Sequence, residues 1–471
     1  MGVTPDAPRP DHRRWRLDGS YRRPAGGDVV IAGSPLTLFR LSPAGRVVIE
    51  ALERGHPLPS PSAGLTDRLV ATGAIHPVAA QDPVDPRRLT VVVPAFGEQP
   101  IYRPTRCRCV AVDDASPVPL VVSDPLVTLH RRDRNGGPAA ARNVGLADVT
   151  TPYVAFVDSD VTVHDDDLLR LATHLDDPAV ALVAPRVTAL ASSGAPGRGA
   201  LVRFEQRHSP LDMGSEPARI APATRVSYVP AAVLVCRTDA IREIGGFDES
   251  LRYGEDVDLV WRLVAAGWRC RYEPAVAAGH RTRTTMPAWL AQRYRYGTSA
   301  APLAQRHPGA LAPVRMSGWS AAAWAPVVMG LPLVGVTIAA ASSAMLVRRL
   351  PQVPPRESLR IAGLGNLFAG RQLACSLTRT WWPLAVGGAL VSRRMRRVLL
   401  AAAFVPAALD WRRDRPPLDL VRSLALRLLD DVAYGAGVWR GAIRHRRVDV
   451  LLPAFSPWPP RERARDISRA E

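Results

Sequence analysis

The chain of 471 residues contains no lysine, so all of its 61 basic residues are arginines. We attribute this to the base composition of the genome, although it supplies flat guanidinium groups that fit phosphate oxygens. Aromatic residues are also few, at 6%, and they do not alternate with basic residues as stacking side chains do in nucleic-acid-binding folds. The net charge of +18 therefore predicts anionic partners such as a nucleotide diphosphate or an acidic lipid, and no nucleic acid.

Cysteine is scarce, and its spacing excludes a zinc site and a disulfide framework. One Cys-x-Cys pair is present, with no second pair and no nearby histidine that could complete a zinc site. An odd number of scattered cysteines predicts reduced, mostly buried thiols and a cytosolic catalytic domain. The polar amino terminus also lacks the apolar stretch of a secretory signal. The cysteines are Cys107, Cys109, Cys236, Cys270 and Cys375.

Only one apolar run is long enough to cross a bilayer. Ala321 to Val347 carries no charge and is followed by Arg348 and Arg349, which predicts one membrane-spanning helix. The alternative interpretation is a buried helical hairpin. Two later apolar runs are shorter, and Leu418 to Ile443 is amphipathic and arginine-rich, which suits an anionic membrane surface. Residues 319–450 are therefore predicted to be a helical, membrane-associated region that touches lipid.

Residues 12–80 predict a small domain of two strands followed by two helices. Val29 to Ile31 and Leu36 to Phe39 are β-like, and a helix begins at Ser42-Pro43. A second helix pattern, Leu65 to Ala71, ends at Gly73. This order is typical of a winged-helix module, but an amino-terminal extension packed on the main domain would show the same pattern.

Residues 89–310 alternate between strand and helix patterns. Leu89 to Pro94, Val110 to Asp114 and Tyr153 to Val157 are almost continuously apolar, as strands buried on both faces are. This predicts an α/β fold with a mostly parallel, doubly wound sheet. The third run ends in Asp158-Ser159-Asp160, and two carboxylates in one turn form a site of hard oxygens for a divalent cation that carries a diphosphate. Alone, this acidic pair is more typical of a solvated turn.

Further motifs surround the acidic pair, in an order that is more specific than any one of them. Gly136-Gly137-Pro138 precedes an alanine-rich helix, so a backbone amino terminus is available near a phosphate. In order, the set resembles the inverting nucleotide-sugar glycosyltransferases of family 2, which include the cellulose and chitin synthases. The resemblance implies the GT-A nucleotide-sugar-binding fold and a UDP-sugar donor. The motifs are Val91–Glu98, Val112–Pro117, Arg134–Gly145, Asp158–Asp160, Gly245–Glu249 and Tyr253–Leu259.

This resemblance implies a binding site for the nucleotide at the ends of the first two strands. Pro94, Ala95 and Glu98 would line the loop where the base lies. A carboxylate of Asp113 or Asp114 would accept a hydrogen bond from the uracil imide; an Asx turn is the alternative.

The resemblance also implies the diphosphate and metal contacts. Asn135, Arg142 and Asn143 would lie beside the diphosphate, although ordinary packing of a loop on a helix is the alternative. Asp158 would face the ribose and the water shell of the metal, and Asp160 would bind Mg²⁺ or Mn²⁺.

The Glu255-Asp256 pair supplies the catalytic base by the same resemblance. Asp256 would accept the proton of the acceptor hydroxyl, and the charge of Glu255 would raise its proton affinity. The alternative is that Asp256 only caps the helix that follows.

Residues Gln292 to Tyr296 resemble the Gln-x-x-Arg-Trp motif of processive synthases, with tyrosine replacing tryptophan. Tyr296 would offer an aromatic plane to a sugar, and Gln292 and Arg295 would contact acceptor or phosphate. A surface helix with arginines is the alternative.

Within the family, the motifs together with four flanking segments resemble the glycosyltransferases of the mycofactocin system. The segments are Leu41–Gly45, Leu65–Pro77, Tyr294–Ser299 and His307–Gly309. That resemblance implies transfer of glucose from UDP-glucose to a peptide-derived acceptor, which builds a β-1,4-linked oligoglucose chain. It also implies a peptide-recognition role for the first domain and a location at the cell membrane with the catalytic domain facing the cytoplasm. A membrane polysaccharide synthase and a non-catalytic nucleic-acid- or membrane-binding protein are the alternatives.

Overall fold

The computed structural model describes residues 14–24, 27–59, 62–80, 82–97, 102–190 and 199–456. The chain forms two compact units. The first unit extends to Gly197 and continues over Glu205–Thr282, and the second comprises Arg198–Phe204 and the chain from Arg283 onward.

The first unit begins with a small module of residues 14–78, which we call the N-terminal module. Ser42 caps its first helix by accepting a hydrogen bond from the Gly45 N–H at 3.1 Å. Gly73, at φ 72°, ends its second helix as predicted. The two predicted strands and the two helices after them are confirmed, two further strands at the ends of the module were not predicted, and the winged-helix assignment stays a prediction. The elements are β1 Trp15–Leu17, β2 Val29–Ala32, β3 Thr37–Arg40, α1 Pro43–Arg54, α2 Ala63–Thr72 and β4 Ile75–Pro77, with β1 antiparallel to β4 and β2 antiparallel to β3.

A large mixed sheet forms the rest of the first unit, and its predicted α/β, mostly parallel character is confirmed. Its strands are β5 Leu89–Ala95, β6 Arg108–Asp113, β7 Val127–Arg131, β8 Tyr153–Val157, β9 Val161–Thr162, β10 Val180–Leu190, β11 Ala218–Ile220, β12 Val233–Arg237 and β13 Arg269–Arg281. Its helices are α3 Pro138–Ala147, α4 Asp165–Ala172, α5 Ala200–His208, α6 Thr238–Glu243 and α7 Glu255–Ala265, of which α5 begins in the second unit.

The order of the strands places the predicted motifs at one edge. The strands lie in the order β11-β13-β10-β12-β8-β5-β6-β7, and β9 pairs with β13. Strands β5, β6, β7 and β8 are parallel, whereas β12 is antiparallel to both of its neighbours. Every residue of β5 and of β8 is buried, as continuous apolar runs predict. Parallel strands end at the same edge, so the residues after β5, β6 and β8 share one rim.

Helix α3 packs closely on this sheet because Gly145 lacks a side chain. A Cβ atom there would lie 2.3 Å from Val92 Cγ1 on β5. The helix begins at Pro138 after Gly137, whose φ of 90° suits glycine. The packing holds α3 closely against β5.

The second unit is helical, and the predicted membrane-spanning helix is wrong. Residues 321–347 fall in two helices, because Gly330, at φ 83°, and Pro332 interrupt the helical hydrogen bonds between them. Within the part of the chain that the structure describes, no helix combines the length and apolar character needed to cross a membrane. The elements are α8 Met286–Thr298, α9 Ala300–Arg306, β14 Arg315–Ser317, α10 Gly318–Val328, α11 Pro332–Arg349, α12 Pro355–Arg379, α13 Trp382–Val391, α14 Arg393–Asp414, α15 Leu420–His445 and β15 Ala454–Ser456.

Candidate active site

An arginine on α3 joins two acids that lie far apart in the sequence. Arg142 Nη2 donates to Asp158 Oδ1 at 2.6 Å, and its Nη1 donates to Glu255 Oε1 at 2.9 Å. The arginine is only 2% exposed and lies over the ring of Phe247. The structure shows it holding Asp158 and Glu255 in place, and its location beside the diphosphate stays a prediction. A buried guanidinium between two carboxylates fixes their geometry, because none of the three charges can be left unpaired cheaply.

Asp256 lies in the first turn of α7, and Gly254 occupies the cap position. The alternative that Asp256 itself caps the helix is therefore wrong. Its carboxylate accepts hydrogen bonds from the Val257 N–H at 2.8 Å and from the Ala231 N–H at 3.3 Å.

The surroundings of Asp256 tune it for proton transfer. Burial raises the pKa of Asp256 to about 7, and the neighbouring charge of Glu255 adds to this effect. The two N–H donors and Arg142 act in the opposite direction. A carboxyl with a pKa near neutrality can exchange a proton with a substrate hydroxyl at physiological pH.

Two consecutive residues bring Asp256 close to the acidic pair that follows β8. The N–H of Ala231 donates to Asp256, and the carbonyl of Ala232 accepts from the N–H of Asp158 at 3.0 Å. Burial also raises the pKa of Asp158, with Asp160 adding to the effect and Arg142 opposing it. Acids from two distant segments thus converge at one place, as the motifs predict.

Asp160 has a partner that the sequence did not reveal. His280 Nε2 lies 3.3 Å from Asp160 Oδ2, with 13% and 27% of the two side chains exposed. The register of β13 explains the approach: His280 pairs with Val161, and the Arg281 N–H donates to the Asp160 carbonyl. Imidazole nitrogen and carboxylate oxygen are both ligands of Mn²⁺ and related ions. Among the described residues, however, no group of three such side chains is arranged to hold an ion, so these two would need phosphate and water to complete a coordination sphere.

Asp113 and Asp114, which were predicted to contact the nucleotide base, accept hydrogen bonds from other groups of the protein. Asp113 is 1% exposed, and its carboxylate accepts from the N–H groups of Ser116 and Leu120. Asp114 is 3% exposed and accepts from the N–H groups of Gly136 and Gly137, and both carboxylates also pair with arginines. They shape the rim and the start of α3, and a uracil contact stays a prediction.

The remaining predicted residues divide into three cases. Asn135 donates to the Asp114 carbonyl, and Asn143 exchanges hydrogen bonds with the backbone of Phe247. Pro94 and Ala95 end β5 at the rim, whereas Glu98 lies outside the described residues. Three predicted residues belong to the second unit: there Gln292 donates to the Tyr296 hydroxyl at 3.0 Å, and Arg295 is exposed.

Comparison with known proteins identifies the family of the chain. The model of the family described as "Glycosyl transferase family group 2" matches residues 153–391. The pre-mycofactocin glycosyltransferase of Mycobacterium tuberculosis is 40% identical over 467 residues, which covers 94% of this chain and 98% of the relative. The chain belongs to this glycosyltransferase family.

Two further likenesses are weaker. The succinoglycan biosynthesis protein ExoO of Rhizobium meliloti is 30% identical over 184 residues, which covers 35% of this chain and 49% of that protein. A solved structure, the mannosyltransferase PcManGT from Pyrobaculum calidifontis in complex with GDP-Man and Mn²⁺, is 17% identical with a TM-score of 0.34 over 75% of this chain and 91% of that one. A likeness of that degree carries no argument about this site. Membership of the family rests on the first two comparisons, and the acids at the rim are its candidate active site.

Proposed function

We propose that this glycosyltransferase moves glucose from UDP-glucose to a peptide-derived acceptor, the precursor of mycofactocin, and inverts the anomeric carbon. The observation that carries the proposal is the convergence of the Asp256 carboxylate with Asp158 and Glu255, the two acids that Arg142 holds together. The 40% identity to a pre-mycofactocin glycosyltransferase supports the choice of acceptor.

The proposed reaction needs one proton transfer and one displacement. Asp256 accepts the proton of an acceptor hydroxyl while that oxygen attacks C1 of the glucose. The bond from C1 to the diphosphate breaks with its electron pair, and UDP leaves from the opposite face. An α-linked donor then yields a β-glycoside, and repetition on the 4-hydroxyl builds a β-1,4-linked chain.

Asp160 and His280 fit a divalent cation, Mg²⁺ or Mn²⁺, through an oxygen and a nitrogen donor 3.3 Å apart. When bound, such an ion neutralises the negative charge of the departing diphosphate. Arg142 orients Asp158 at the same rim, where Asp158 would face the ribose and the water shell of the ion.

A direct test uses the purified chain with isotopically labelled UDP-glucose, UDP-galactose and GDP-mannose, each with the pre-mycofactocin acceptor and Mn²⁺. We expect mass spectrometry to show hexose additions from UDP-glucose, and release of UDP in equal amount. Long soluble or membrane-bound glucan without acceptor would instead favour a polysaccharide synthase. Absence of any sugar transfer, with salt-dependent binding to DNA, would favour the non-catalytic alternative.

We also propose that the second unit rests on the cytoplasmic face of the cell membrane. Several large apolar side chains are exposed on helices α11 to α14: Leu333 at 81%, Phe368 at 61%, Leu390 at 77%, Val391 at 88% and Leu400 at 68%. Exposed apolar side chains in such number are typical of a surface that meets another apolar phase. Four arginines follow directly at the start of α14, at positions 393, 394, 396 and 397, which suits anionic lipid headgroups.

Vesicle flotation tests this second proposal. We expect binding to phosphatidylglycerol vesicles and little binding to phosphatidylcholine. Replacement of Arg393, Arg394 and Arg397 by glutamine should weaken binding on the order of a hundredfold, at about 1 kcal/mol per arginine near the surface. A matched control replaces Arg54, Arg68 and Arg170 by glutamine. These arginines are exposed in the first unit, so their replacement removes the same charge. Equal losses in both triple variants would show that net charge alone drives binding, and the proposed surface would be wrong.

A further inference from the structure

The loop between β11 and β12, residues 221–232, joins the N-terminal module to the candidate base. At one end, Arg225 Nη2 donates to Asp18 Oδ2 of the module at 2.8 Å, and its backbone N–H donates to Ser34 Oγ at 2.7 Å. Six residues later, the Ala231 N–H donates to Asp256 Oδ2 at 3.3 Å. The same loop is therefore anchored on the module and on the catalytic carboxylate.

Asp18, the residue of the module that binds Arg225, is buried and held by several hydrogen bonds. Asp18 is only 5% exposed and accepts hydrogen bonds from the Ser20 N–H at 2.9 Å and from the Ser20 hydroxyl, while His76 Nε2 lies 2.9 Å away. Burial alone would raise the pKa of Asp18, but the hydrogen bonds of His76, Arg225 and Ser20 outweigh it and hold the pKa well below its usual range. A buried carboxylate held ionised in this way binds a guanidinium strongly, so Arg225 has one preferred position.

Between its two anchors the loop is tightly packed. Val226 and Val229 are 1% and 0% exposed, and the Ser227 carbonyl accepts a hydrogen bond from Trp261 Nε1 at 2.7 Å. Trp261 lies on α7, the helix that carries Asp256. Close-packed segments do not absorb a shift at one end, so a displacement of Arg225 reaches Ala231.

We propose that Arg225 is a positioning residue, which ties loop 221–232 to the N-terminal module and thereby fixes the Ala231 N–H against the Asp256 carboxylate. The proposal rests on the role of Asp256 as base. It follows that the module acts on the rate of transfer, and does not serve acceptor recognition alone.

The test is the variant Arg225→Gln, assayed by release of UDP from UDP-glucose with the pre-mycofactocin acceptor. We expect kcat to fall about tenfold or more, because small misplacements of a catalytic group are costly, while the KM for UDP-glucose stays within about twofold. Asp18→Asn should act in the same direction. Arg225→Lys should recover part of kcat, because an ammonium retains the charge beside Asp18.

The matched control is Arg16→Gln. Arg16 Nη2 pairs with Glu216 Oε2 at 3.0 Å, so it also connects the module to the rest of the first unit, but outside loop 221–232. We expect its kcat to equal that of the parent protein. Equal losses of kcat in Arg16→Gln and Arg225→Gln would mean that any attachment of the N-terminal module to the rest of the unit has this effect, and the role of loop 221–232 would be wrong. An unchanged kcat in Arg225→Gln would overturn the proposal.

Two further outcomes separate this proposal from the proposed function. If Arg225→Gln does not fold, Ser34→Ala removes only the hydrogen bond from the Arg225 N–H, and a kcat unchanged in Ser34→Ala would count against positioning. Turnover that is lost in Asp256→Asn but retained in Arg225→Gln would overturn only the positioning role. Undiminished turnover in Asp256→Asn would overturn the base itself.

Discussion

The variant Asp256→Asn should bind UDP normally and lose sugar transfer by about 10²–10⁴-fold, the usual contribution of a general base. Asparagine keeps the shape of the side chain, and its one oxygen can still accept from the Val257 N–H, while only the longer hydrogen bond from the Ala231 N–H at 3.3 Å is lost. It cannot accept a proton. Loss of a charge at the amino end of a helix costs about 0.3–1 kcal/mol, and relief of the repulsion with Glu255 offsets it. Release of UDP measures the rate, and calorimetry with UDP measures binding.

The pH dependence of the same assay provides an independent check. A base acts in its ionised form, so with a pKa of about 7 for Asp256 in the free protein the parent kcat/KM should be constant well above pH 7 and fall tenfold per unit well below it. The residual rate of Asp256→Asn should lack this acidic limb. Asp239→Asn is the matched control, because Asp239 is also the second residue of its helix and is exposed. Parent-like turnover in Asp256→Asn would remove this residue as the base.

The strands and the acidic motifs could be predicted because each depends on a short stretch of sequence. A run such as Leu89 to Ala95 is almost continuously apolar because both faces of its strand are covered, and Asp158 follows such a run. The pairing of Glu255 with Asp256 likewise predicted the direction of the pKa shift of Asp256, although burial contributes more than the neighbouring charge.

Contacts that depend on register were not visible in the sequence. His280 lies in an ordinary segment, and only the pairing of β13 with β9 places it beside Asp160. Arg142 bridges Asp158 and Glu255 only because β12 pairs antiparallel with β8 and brings the start of α7 near it. No short stretch of sequence predicts that proximity. The sequence did contain a signal against the predicted membrane-spanning helix, because Gly330 and Pro332 interrupt the apolar run.

Removal of either proposed metal ligand should abolish the metal dependence of transfer. We expect Asp160→Asn and His280→Gln each to lower the Mn²⁺-supported rate on the order of 10²-fold or more, because several kcal/mol of charge stabilisation of the leaving diphosphate is lost. The loss should appear as weaker binding of Mn²⁺ in the presence of UDP, measured by electron paramagnetic resonance, which does not depend on turnover. Addition of a chelator should lower the parent rate and leave the two variants almost unchanged.

A second histidine–aspartate pair, with the same distance between nitrogen and oxygen, provides a control for this result. His130 Nε2 lies 3.3 Å from Asp148 Oδ2, the same separation as in the proposed site, but Asp148 follows α3 at the end remote from Gly137. His130→Gln should therefore bind Mn²⁺ with UDP like the parent protein. If His280→Gln also bound Mn²⁺ like the parent while Asp160→Asn did not, His280 would only orient Asp160 by hydrogen bonding, and the ion would be held by carboxylate and phosphate oxygens alone.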